Sequence, residues 1–158
     1  MKTTALVTKW NIPSLAGLQL RNVIVLIVLG FLFTSCGNSG GSDSPANSIK
    51  DFVKAVKEGS TEKAWTFLST ESQKQFETTA KTRNLSGKEA FDKDFKNPKS
   101  LGNLNEDFEV IDEKKDSDNA MVTLKFKSGK TLEVYSIKEG AWKYDLARTN
   151  KEMMKLVE

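Results

Sequence analysis

The stretch Ala120-Met121-Val122-Thr123-Leu124-Lys125-Phe126-Lys127 decides the fold. Ala120, Val122, Leu124 and Phe126 fall at every second position with Thr123, Lys125 and Lys127 between them, the pattern of a strand with one buried and one wet face. The same period extends in both directions. Upstream, Phe108 and Val110 alternate with Glu109 and Ile111, and Asp116-Ser117-Asp118-Asn119 supplies a turn. Downstream, Ser128-Gly129 reads as a two-residue hairpin loop, Leu132 and Val134 continue the sheet, and Glu139-Gly140 turns into Trp142, Tyr144 and Leu146. About four strands joined by tight turns make an antiparallel meander.

Before Asp107 the period is helical. Ser44-Pro45 is an N-cap followed by proline at the first helical position, and Ile49, Phe52, Val53 and Val56 recur at i, i+3, i+4 and i+7 up to Gly59. Lys50, Lys54 and Lys57 occupy the opposite, solvated side. Ser60 opens a second helix with Ala64, Trp65, Phe67 and Leu68 on its apolar face. Thr70-Glu71-Ser72-Gln73 has capping-box spacing and opens a third, carrying Phe76 and Ala80. Gly87 to Lys96 adds a turn or two around Ala90, Phe91 and Phe95, stopped by Asn97-Pro98. Helices first and strands second predict an α+β domain over 45–150, its N-terminal helices covering one face of the sheet, with 151–158 as a C-terminal tail.

The 158 residues leave room for one ordinary domain, and 38% apolar content suffices for its core. Lys2, Lys9 and Arg21 are the sole charges in residues 1–35, leaving 21 of the 24 basic side chains to balance 21 acidic ones. The net charge of +3 therefore belongs to the N-terminal segment. The chain beyond that segment is formally neutral, which removes the electrostatic argument for nucleic-acid binding. With no histidine and one cysteine, an intramolecular disulfide, the usual zinc sites and any Ser-His-Asp or Cys-His relay are excluded. No cofactor is implied, and the residue inventory favours a non-enzymatic protein.

The lone cysteine lies behind Val23 to Phe33, eleven residues without a charged or polar side chain. Charges, then an apolar run too short for the roughly 20 residues that span a bilayer, then small residues is the order of an export signal. Phe33-Thr34-Ser35-Cys36 resembles the lipobox of bacterial lipoproteins, although Phe33 stands where leucine is usual. The resemblance implies cleavage between Ser35 and Cys36, a diacylglyceryl group on the thiol, and acylation of the new amino group. It makes 1–35 a signal peptide and the membrane a partner through covalent lipid, which two or more chains hold stably. Gly37-Asn38-Ser39-Gly40-Gly41-Ser42-Asp43-Ser44 reads as a flexible tether, so that 36–44 reaches on the order of 15 to 30 Å. Gly37 in the second position resembles lipoproteins sent to the outer membrane, facing the periplasm.

The Ser-Pro helix start, Lys57-Glu58-Gly59-Ser60-Thr61-Glu62-Lys63-Ala64, the turn into Ala120-Met121-Val122 and the closing Glu139-Gly140-Ala141-Trp142-Lys143 look like a group of small bacterial lipoproteins. These are similar to the nuclear-transport-factor-2-like, or cystatin-like, fold, a cone of helices on a curved sheet. Such a fold implies a pocket between sheet and helices, and Trp65, Phe91, Trp142 and Tyr144 are the aromatic candidates to line it. Enzymes of this fold use a buried Asp, so Asp107, Tyr135 and Asp145 are the catalytic candidates, with Asp145 expected to point toward Lys143 and solvent.

Asp116-Ser117-Asp118 fails as a calcium loop, with Met121 in place of glycine and Lys127 in place of glutamate, and no other metal site is expected. Asn84-Leu85-Ser86 matches a glycosylation acceptor, a chance match in the bacterial cell that the lipobox resemblance implies. Three functions stand as expectations. The first is a lipid-anchored envelope protein binding a small apolar ligand or another envelope protein. The others are an isomerase or dehydratase with a pocket Asp, and an interaction module using an exposed sheet face.

Overall fold

The computed structural model describes residues 40–155 of the chain; Ser35, Cys36 and the apolar run before them lie outside the described residues. Helix α1 spans Pro45–Lys57, and the Ser44 hydroxyl accepts from the Asn47 N–H. Its end is fixed by Gly59 at φ 72°: the Ser60 N–H reaches back to the Ala55 carbonyl and the Gly59 N–H to that of Val56. Ile49, Phe52, Val53 and Val56 are all buried, as their spacing requires.

Helix α2 covers Thr61–Phe67 and α3 covers Thr70–Ala80. The cap of α3 is Ser69 rather than Thr70: its hydroxyl accepts from the Ser72 N–H, while the Gln73 amide turns to the Trp65 carbonyl. Helix α4, Gly87–Phe95, carries the capping box instead, with Ser86 and Glu89 satisfying each other's backbone N–H groups. A Cβ on Gly87 would lie 2.7 Å from the Glu77 backbone, so glycine permits the close approach of α3 and α4. Asn97-Pro98 ends α4 and begins a 3-10 segment, Pro98–Asn105, turned at Gly102 (φ 56°, ψ −127°) so that Leu101 and Leu104 both face inward.

Strands β1 (Phe108–Asp116), β2 (Asn119–Phe126), β3 (Thr131–Glu139) and β4 (Ala141–Tyr144) form one antiparallel sheet in the order β1-β2-β3-β4. Ala120, Val122, Leu124 and Phe126 are buried without exception. Pairing of β1 and β2 slips between Val110 and Asp112, which leaves Ile111 as a bulge half-exposed to solvent. The β2–β3 loop holds three residues, not two. Phe126 bonds Lys130, and Gly129 at φ 84° supplies the left-handed position such a loop needs.

The helices cover the inner face of the sheet, as the element order predicts, and the chain is an α+β domain. At one end of α1 contact is made by small polar residues. Ser48 and Ser136 hydroxyls meet at 2.8 Å, and Pro45 offers its carbonyl to both. Farther along, Phe52 packs on Tyr144 with ring centroids 5.1 Å apart.

Two further segments depart from the sequence-based expectations. The glycine-serine stretch is held from Gly40 onward: Ser42 exchanges both backbone hydrogen bonds with Trp142 at 2.9 Å and is itself buried. Its glycines serve contact, since a Cβ on Gly40 would run into the Thr66 side chain and one on Gly41 would lie 2.7 Å from the Ala141 methyl. The second departure is helix α5, Leu146–Lys155. It takes Leu146 out of the sheet and crosses the 150/151 boundary into the expected tail. Among the described residues no helix is long and apolar enough to cross a membrane.

Candidate functional site

Apolar residues from seven elements converge without filling the space between them. Phe52 of α1, Phe76 of α3 and Phe95 of α4 approach from the helical layer; Leu132 and Tyr144 come from the sheet. The 3-10 segment contributes Leu101 and Leu104, and α5 contributes Leu146, Thr149, Asn150 and Met153. They enclose a pocket of about 450 Å3, within the range of small-molecule sites. Its aromatic wall is stiff. Phe52 and Phe95 meet edge to face at 5.8 Å, Phe76 and Phe95 at 6.2 Å, and Phe91 stacks on Phe95 at 4.7 Å.

Among the described residues no charged side chain lines this pocket. Its polar side-chain atoms come from Ser100, Asn103, Tyr144, Thr149 and Asn150. Ser100 donates to the Asp94 carbonyl, and Thr149 accepts from the Tyr135 N–H at 3.1 Å and gives its one hydroxyl proton to the Asp145 carbonyl at 2.8 Å. Burial pushes the Tyr144 phenol well above its ordinary value of 10 despite a hydrogen bond with Thr149, and the nearby Asp145 carboxylate acts in the same direction, so the ring is neutral at any physiological pH.

Of the four aromatic candidates, Tyr144 lines the pocket. Phe91 lies behind Phe95 and is wholly buried, with Trp65 5.4 Å beyond it. Trp142 occupies a different place, under the Ser42 strap with the Lys115 ammonium 5.9 Å from its ring. The residues that sequence reasoning missed are Leu101, Leu104 and Met153, which lie in a segment without readable period and in the expected tail.

The three catalytic candidates do not meet. Asp107 is on the surface, where the Lys127 ammonium, bonded at 2.7 Å, holds its carboxyl below the usual range. Tyr135 lies on the outer face of the sheet with the Arg148 guanidinium 4.3 Å over its ring. Asp145 corrects the expectation of a solvent-facing side chain: it is buried and caps α5, accepting from the Arg148 N–H at 3.1 Å and from the Ser69 and Ser72 hydroxyls at 3.2 and 3.5 Å. A residue that leaves a strand to cap a helix no longer obeys the alternation of the strand.

A second, wider hollow of about 850 Å3 lies between α3 and α5. Glu71, Lys74, Arg148, Lys151, Glu152 and Lys155 give it mixed charge. Among the described residues no cluster of acidic or sulfur ligands could hold a metal ion. Large apolar residues exposed among them are Ile111 and Met154, on separate elements, so they make no contiguous patch.

Neither the curated proteins nor the solved structures contain a match to this chain. Residues 34–144 match a family model described as "Domain of unknown function (DUF4878)". The match covers more than half of the 158 residues, and the chain belongs to that family.

Proposed function

We propose that the protein is a lipoprotein, anchored through acyl chains on Cys36, whose domain binds a small apolar ligand between its helices and its sheet. The observation that carries the binding half is the uncharged, aromatic-walled pocket of about 450 Å3. Support for the anchor is Phe33-Thr34-Ser35-Cys36 behind an apolar run, and Gly37 points to the outer membrane. The resemblance to the nuclear-transport-factor-2-like fold is supported by the order of helices before a meander and by a pocket where that fold keeps one.

A pocket-Asp isomerase or dehydratase has no support here, because among the described residues no carboxylate lines the pocket and Asp145 is committed to a cap. Two measurements test the proposal. Cys36→Ala should release the protein from membranes; retention there would end the anchor reading. An aliphatic diazirine hydrocarbon added to membranes carrying the protein should label Leu101, Leu104 or Met153. Labelling confined to surface residues would end the pocket reading.

A further inference from the structure

The pocket constrains the head of its ligand as well as its body. An ionised head group brought beside this lining would lose water and find no counter-charge, a loss that Phe52, Phe76, Phe95 and Leu104 cannot offset. Thr149 has no proton left to donate to such a head, its one hydroxyl hydrogen going to the Asp145 carbonyl. Asn103 and Asn150 can donate. Among the described residues neither side-chain amide has a protein partner, and each combines two donors with an acceptor at the rim of the apolar space. The cations and anions of α5 line the wide hollow, which Asn150 also borders, and none of them is among the residues lining the pocket.

On the reading that the pocket binds an apolar ligand, we infer that its ligand is an uncharged amphiphile, whose apolar body lies against Phe52, Phe76 and Phe95 and whose hydroxyl or amide head pairs with Asn103 and Asn150. Fatty acids in their ionised form, phospholipids and other charged lipids are thereby excluded.

The test uses the full-length protein in membranes and two photoreactive 12-carbon probes, a diazirine alcohol and the matching carboxylate, at pH 8, each normalised to its labelling of bulk lipid. The alcohol should label the pocket residues at least about tenfold more than the carboxylate, given the cost of burying an unpaired charge. Asn103 is exposed, so Asn103→Lys should fold normally, place a cation at the rim and bring the two probes to within about threefold of each other. Equal labelling of the natural protein by both probes, or an unchanged ratio in Asn103→Lys, would overturn the inference and leave the pocket reading standing. Absence of pocket labelling by either probe would overturn both.

Discussion

Helix α5 separates two hollows that have little in common. On one side, Leu146, Thr149, Asn150 and Met153, spaced i, i+3, i+4 and i+7, close a pocket of about 450 Å3 with no charged side chain among its described lining, Asn150 standing at the border of both hollows. On the other, Arg148, Lys151, Glu152 and Lys155 face a space nearly twice as large, about 850 Å3, bordered by Glu71 and Lys74 of α3. Size therefore does not identify a binding site. Long charged side chains around an open hollow keep it hydrated and mobile, whereas stiff rings around a smaller one leave space that water occupies poorly. One short helix gives both results because its period divides the two kinds of residue.

The sharpest way to break this comparison is to remove the wall from one side only. Phe91→Ala should lower stability by about 3–5 kcal/mol, since the ring is fully buried against Trp65, Phe76 and Phe95. Lys74→Ala, bordering the wider hollow, should stay within about 0.5 kcal/mol. Urea denaturation of the two variants checks this, and similar losses would mean that the two hollows are not mechanically different.

Removing what both hollows share should have an intermediate effect. Asp145→Ala takes the cap from α5 and leaves the Ser69 and Ser72 hydroxyls without their buried acceptor, at a cost of about 2 kcal/mol. Amide exchange should quicken along 146–155 while β2 remains protected. If β2 exchanges as fast, α5 is not a separable wall.

The smallest effect is one of pH. Burial raises the Tyr144 value, so the folded protein keeps the phenolic proton above pH 10, where the unfolded chain releases it. That contribution is complete below pH 10 and declines as pH rises past it. Thermal midpoints tracked from pH 8 to 11 should fall more steeply for the natural protein than for Tyr144→Phe, which lacks this buried phenol. Parallel curves would place the hydroxyl in contact with water and reassign that part of the pocket.

Much of this architecture is legible along the chain because local rules and tertiary packing agree. The alternation from Ala120 to Phe126 and the Ser44-Pro45 start are satisfied by neighbours close in sequence, and both are found where they are expected. What escapes reading depends on distant partners. Ser69 caps α3 in a network with Asp145, 76 residues away, and glycine at 40 and 41 has the composition of a linker but is required by Thr66 and Ala141. The pocket is illegible for the same reason. Leu101 and Leu104 turn inward through a backbone conformation at Gly102 that no periodicity announces, and α5 has too few apolar residues to mark itself as a helix.

The Ile111 bulge has a consequence at the level of many molecules. An uncovered outer strand offers its backbone to the same strand of another copy, the more so where copies are concentrated on a surface. The extra residue throws that ladder out of step between Val110 and Asp112, and the exposed Lys114 and Lys115 just beyond it oppose a like-charged neighbour. The irregularity in β1 thus protects a population of these proteins from assembling edge to edge, at the side of the sheet that no other strand covers among the described residues.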